Sequence, residues 1–196
     1  MTEPTTLSPD ELSDLDVRMT DAARDGDSET VQTLLAAGAN VHAGGDYALR
    51  VAACIGHTET MGVLLAAGAD VHAQNDLALW WAVSVDRTEA VKVLLVAGAD
   101  DDGALSWTAW NGHMETLQVL ARHIFAPDAW RGKKRTEIED HANALYDKIK
   151  AESPEPDRLR QAGSILLDTA LTCWEQVRPA PPKLTLSALP AQPRPL

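Results

Sequence analysis

An all-α solenoid of helix–turn–helix units, ending in an added helical hairpin, is the fold class this sequence predicts. Three observations carry that expectation. First, one phrase recurs at a step of 30 residues: LLAAGAN (34–40), LLAAGAD (64–70) and LLVAGAD (94–100). Second, each copy follows a glutamate and a short apolar run, ETVQTLL from Glu29, ETMGVLL from Glu59 and EAVKVLL from Glu89. Third, Ala and Leu supply most of the 45% hydrophobic content, with only 5% aromatics, a balance that suits helices. Such self-similarity marks stacked units, none of which buries its apolar face alone. A fourth copy, ETLQVL from Glu115, lacks the AGAD ending.

Taken in order, residues 1–7 are expected to be disordered. Ser8 reads as an N-cap, with Pro9 at the first helical position and Asp10 and Glu11 in the first turn, where they suit the helix dipole. This helix is expected to reach Arg24 and stop near Gly26, its acids forming the outward face that an end unit needs. Aligning the repeats puts Met19, Leu49, Leu79 and Leu105 in one column of a first helix. Ala23, Ala53, Val83 and Ala109 lie four residues later on the same face. Gly26, Gly56 and Gly112 end that helix where positive φ is needed, and Asp86 takes their place in the third unit. A second helix buries Val31, Leu34 and Leu35 and their equivalents, then stops at Gly38, Gly68 and Gly98. A short extended connection leads to the next unit.

GHTETMGVLLAAGADVHA (56–73) resembles the ankyrin repeat, and the resemblance covers roughly residues 15–124. It implies a protein-binding scaffold whose first helices line a concave side. Three departures matter. YALR (47–50), LALW (77–80) and GALS (103–106) stand where ankyrin repeats open with T-P-L-H. The step is 30 instead of about 33 residues. From Leu94 to Leu120 it falls to 26, because DDGALSW (101–107) has no counterpart of VHAQ (71–74). The projecting fingers should therefore be short. The compact form resembles ankyrin arrays of bacterial and large-virus proteins.

The repeats are thus assigned to residues 8–124 and a helical extension to 125–178. Within the extension, Ile138, Ala142, Leu145 and Ile149 mark one face of a helix over 136–151. Leu159, Ala162, Leu166, Ala170, Cys173 and Val177 mark a second over 156–178, so the pair can cap the open end of the stack. PAPPKLTLSALPAQPRPL (179–196) carries six prolines and is expected to form neither helix nor inner strand.

Charge is uneven. Residues 1–120 hold nineteen acids against five Lys or Arg, while 121–196 hold ten against twelve, within a net charge of −12. Direct nucleic-acid binding by the repeat body is disfavoured, since phosphate contacts need clustered cations, and a partner with a basic surface is favoured instead. The basic cluster Arg131, Lys133, Lys134 and Arg135 is expected to form ion pairs within the chain. No run approaches a membrane span and no leader opens the chain, so a cytoplasmic protein is expected. Cys54 and Cys173 are expected to be buried free thiols.

No phosphate loop, paired-Cys motif or nucleophile with a matched base is present, so no catalytic residue, cofactor or metal is assigned. His42 and His72 stand where ankyrin repeats carry Asn and are expected to bond to backbone in the connections. The tryptophans carry the functional reading. Trp81 and Trp107 share a column with Val51 and are expected in the core. Trp80 breaks the column of Arg50 and Ser106, and Trp110 that of Cys54 and Ser84, in columns that line the concave side of ankyrin proteins. Exposed Trp buries much area with little rotamer loss and makes a good interface anchor. The candidate partner-binding set is therefore Trp80, Trp110, Asn111, Val85 and Arg50, with Asp46, Asp76 and Asp102 along the edge. The structural alternative for those aspartates is capping of each first helix.

These readings make the chain a non-catalytic module that holds a protein partner on a concave acidic face. One alternative is a mimic of the phosphate backbone that blocks a nucleic-acid-binding protein, as a phage or mobile-element anti-defence protein (an anti-CRISPR, for instance) would. Another is a homo-oligomeric structural protein. The oligomeric state is left open.

Overall fold

The computed structural model describes residues 8–101, 103–152 and 155–178. The predicted disordered start (1–7), the proline-rich end (179–196) and Asp102 lie outside the described residues. Within them the chain forms eleven helices and no strand: α1 (Pro9–Asp25), α2 (Ser28–Ala36), α3 (Ala43–Ile55), α4 (Thr58–Ala66), α5 (Ala73–Ser84), α6 (Thr88–Val96), α7 (Ala104–Asn111), α8 (Met114–Ile124), α9 (Pro127–Trp130), α10 (Arg135–Glu152) and α11 (Pro156–Val177). First helices α1, α3, α5 and α7 pack side by side in one layer, and second helices α2, α4, α6 and α8 in another. Then α10 joins the first layer against α7, and α11 the second against α8.

The repeated columns explain the core. Met19, Leu49, Leu79 and Leu105 are buried, as are Ala23, Ala53, Val83 and Ala109. Val31 and Leu34, with their equivalents Met61 and Leu64, Val91 and Leu94, and Leu117 and Leu120, fill the space between the layers. The N-terminus is closed by the expected cap. Ser8 Oγ accepts the Glu11 backbone N–H (3.3 Å) while the Glu11 carboxylate accepts the Ser8 N–H (2.8 Å). That reciprocal pair satisfies donors the helix end would otherwise leave free. The backbone hydrogen bond from Ser8 is the main reason the Glu11 carboxyl is held below its ordinary range.

Two devices join each unit to the next. In the first, a first-helix aspartate reaches the connection leading into the following unit. Asp16 Oδ1 accepts the N–H of Asn40 (2.6 Å), Asp46 Oδ1 that of Asp70 (2.8 Å) and Asp76 Oδ1 that of Asp100 (3.0 Å), each pair 24 residues apart. For Asp46 and Asp76 the predicted helix-capping role is thus replaced by a bridge between units. The reason is backbone geometry. Gly44, Gly45 and Asp46 all have positive φ, as do Gln74, Asn75 and Asp76, so each of α3 and α5 opens with a left-handed turn that swings the carboxylate over the connection. That turn also sets the aspartate over the histidine four residues earlier. His42 Nδ1 lies 3.0 Å from Asp46 Oδ1 and His72 Nδ1 2.9 Å from Asp76 Oδ1, so these rings meet carboxylates, not the backbone expected from sequence.

In the second device, the residue after each first-helix stop reaches back to the preceding unit. His57 Nε2 lies 3.0 Å from the Arg24 carbonyl oxygen, Arg87 Nε donates to that of Cys54 (3.2 Å), and His113 Nδ1 lies 3.1 Å from that of Val83. The His57 ring rests on Gly26, where an added Cβ would come within 2.6 Å of it. Asp86 takes the left-handed conformation of the missing glycine (φ 56°), and its carboxylate accepts the Thr116 hydroxyl (2.7 Å).

The C-terminal hairpin buries Ile138, Ala142 and Ile149 against Ala162, Leu166, Ala170 and Cys173, the faces read from sequence. At Gly163 the helices approach closely, since a Cβ there would meet the Tyr146 ring at 2.9 Å. Sequence reasoning did not foresee α9, which turns Trp130 back onto buried Phe125 (5.8 Å between rings) and lets its indole N–H donate to the Ile124 carbonyl (2.9 Å). Three of the four basic residues beside it pair locally as expected: Arg131 with Asp128, Lys133 with Glu137 and Arg135 with Glu139. Among the described residues, no helix is long and apolar enough to cross a membrane.

Candidate protein-binding surface

The stacked first helices present one continuous face, and its composition changes along the array. At α3 it carries Tyr47, Arg50 and Ile55; at α5, Trp80, Trp81 and Val85; at α7, Trp107, Trp110 and Asn111. Since α3 packs against α5 and α5 against α7, aromatic side chains from neighbouring helices meet. Tyr47 and Trp81 meet edge to face at 6.2 Å, as do Trp80 and Trp107 at 6.1 Å, and Trp107 and Trp110 lie tilted at 5.5 Å. Non-parallel rings at these separations are the arrangement their quadrupoles favour.

Trp80, Gly103, Ser106, Trp107 and Trp110 line an open trough of about 400 Å³. The small residues make it. Gly103 stands in the column of Tyr47 and Leu77, and Ser106 in that of Arg50 and Trp80, so the fourth unit leaves a notch where its neighbours place bulk. Trp110 is 41% exposed, Trp107 36% and the flanking Val85 43%, so exposed apolar area is concentrated around this trough.

Of the residues read from sequence, Trp80 and Trp110 come together in this trough, with Val85 and Asn111 on the same helical faces. Trp107 corrects the expectation of a core position. It has the column of Val51 but reaches over the notch at Gly103 and Ser106. Trp81 is half-buried against Tyr47. Asp46 and Arg50 are corrections in the opposite sense, being only 4% and 7% exposed. Asp46 is committed to the bridge with Asp70 and the contact with His42. Arg50 is drawn onto the rings of Tyr47 and Trp81 and donates to the Gly44 carbonyl (2.7 Å). Asp76 keeps more exposure while bridging to Asp100. Sequence reasoning left out Trp107, Gly103 and Ser106. The available signal was the coincidence of two small residues with a third tryptophan in one short helix.

The described fold is a helical solenoid of paired helices joined by bridged connections, which defines a repeat scaffold. The family model for ankyrin repeats (3 copies) matches residues 19–103, and over that stretch the chain is built of ankyrin repeats. No curated protein matches the chain.

Proposed function

We propose that the chain is a non-catalytic binding module that holds a protein partner on the first-helix face of α5 and α7. The observation that carries this reading is the trough of Trp80, Trp107 and Trp110, three aromatic anchors gathered from two adjacent units. Ankyrin repeats generally mediate protein–protein interaction, and Trp is among the residues enriched at interface hot spots. Val85 and Asn111 would form the rim, and Asp76 the acidic edge. Asp46 and Arg50 support the surface from behind. Asp102, also read from sequence as part of this edge, is proposed on position in the chain alone.

The net charge of −12 supports a partner with a basic surface, attracted at long range before the aromatic anchors engage. Two free cysteines favour a reducing, cytoplasmic setting. The test is affinity capture from the source organism with mass spectrometry, followed by quantitative binding of the captured protein. Trp110→Ala should weaken binding by roughly 30-fold, the loss of about 2 kcal/mol typical of a hot spot. Unchanged affinity for both Trp110→Ala and Val85→Asp would exclude this face. Displacement of the partner by DNA or RNA, with a steep loss of affinity in salt, would assign the chain to phosphate mimicry instead.

A further inference from the structure

We propose that the trough between Trp80, Trp107 and Trp110 receives an arginine side chain of the partner. This rests on the protein-binding role proposed above and specifies the chemistry of its contact. The precedent lies two helices away. The Arg50 guanidinium carbon sits 5.1 Å from the centre of the Tyr47 ring and 5.3 Å from that of Trp81, with one nitrogen donating to the Gly44 carbonyl. The first-helix face thus already holds a guanidinium between aromatic rings of neighbouring units.

In the fourth unit the column of Arg50 carries Ser106, so that column supplies no cation, while the aromatic walls increase from two to three. Trp80 and Trp107 stand at 74° and Trp107 and Trp110 at 45°, so a planar cation stacked on one ring meets the others at an angle. Gly103 keeps that space open, since a Cβ there would lie 3.3 Å from the Trp80 ring. Charge agrees with the occupant. Gly103 directly follows Asp100, Asp101 and Asp102 in the chain, within a repeat body of strong negative balance. Arginine suits the site better than lysine because its flat, weakly hydrated guanidinium stacks on rings and keeps its in-plane donors free for carbonyls and carboxylates.

The experiment follows the indole N–H signals of the full chain by NMR during titration with a capped Gly/Ser octapeptide containing one arginine. The same peptide with citrulline, a neutral near-isostere, or with lysine serves as comparison. The expected result is a saturable shift of the Trp80, Trp107 and Trp110 signals, with citrulline binding on the order of tenfold weaker and lysine intermediate. Ser106→Arg, which copies the Arg50 column and lets the chain fill its own trough, should abolish the response. Should the arginine variant misfold, Trp107→Ala, which removes one wall of the trough, should weaken the response by a similar factor.

Equal shifts with arginine and citrulline, or none with either, would overturn the proposal. If the captured partner still depends on Trp110 in that case, protein binding by this face stands and only the arginine chemistry fails. If deleting residues 179–196 moves these signals while arginine does not, the trough belongs to the chain's own proline-rich end, and the proposal is likewise overturned.

Discussion

The guanidinium of Arg158 on α11 donates to the carbonyl oxygen of Trp110 on α7, and its Nε lies over Gly112, 3.3 Å from where a Cβ would stand. His57 makes the same pair of contacts with Arg24 and Gly26 at the other end of the array. A sequence with no repeat signature therefore docks by the device that joins repeat to repeat, and it does so at an aromatic anchor of the candidate site. Removing it should loosen the hairpin without unfolding the repeats. Arg158→Ala is expected to cost about 1 kcal/mol, the net worth of one such hydrogen bond. Hydrogen exchange should show faster opening of α11 while α3 and α5 keep their protection.

The left-handed turns make a paired prediction. At Gly44 the φ of 62° is free of strain, but any Cβ there would also press on that of Tyr47 at 3.2 Å. Gly44→Ala should destabilise the protein by about 1–2 kcal/mol, the usual cost of forcing an ordinary residue into this conformation. Its counterpart Gln74 and the neighbouring Asn75 bear that strain already, with φ of 55° and 60°. Asn75→Gly should gain a net few tenths of a kcal/mol, the part of the strain relief that outlasts the freedom glycine adds to the unfolded chain. Urea denaturation of both variants reads the two signs directly.

Acid should open the N-terminal end first. Hydrogen bonds from the Ser8 backbone and hydroxyl hold the Glu11 carboxyl below its ordinary range, and the Thr30 hydroxyl and backbone do the same for Asp27. A depressed carboxyl stabilises the fold fully above its unfolded pKa, and that contribution fades as pH falls through the lower folded value. Melting temperature should therefore drop as pH falls below the ordinary carboxylate range. Glu11→Gln with Asp27→Asn, which keeps an amide able to cap α2, should flatten the slope. An unchanged slope would place the acid sensitivity elsewhere.

The two thiols should separate by rate. Burial in the hairpin raises the Cys173 pKa, so little thiolate forms at neutral pH. Cys54 is half-buried on the first-helix layer, more open than its apolar sequence context suggests. Alkylation followed by peptide mapping should label Cys54 in the native protein and Cys173 only on unfolding.

Whether a residue's place can be read from the sequence depends on whether its partner is fixed by the repeat. The columns through Met19 and Ala23, the stop at Gly26, the cap at Ser8 and the two faces of the hairpin all follow from period and local chemistry, and each lies where that chemistry puts it. Trp107 does not, because its column predicts a core position while the ring stands 36% exposed beside the notch at Gly103 and Ser106. Asp46 and Arg50 mislead for a related reason. Their types suggest a charged surface, but a left-handed turn and a pair of rings from two different helices draw both inward. Side chains whose surroundings are set by departures from the repeat cannot be read by averaging over it.

The aspartate bridges from residues 16, 46 and 76 have one more implication. Since each junction is closed by the same short span, the molecule behaves like a ladder whose rungs are interchangeable. Copying residues 47–76 and splicing them in after Asp76 would give every donor and acceptor a mate of the kind it already has. The aromatic trough would then travel farther from α1, unaltered, on a longer frame.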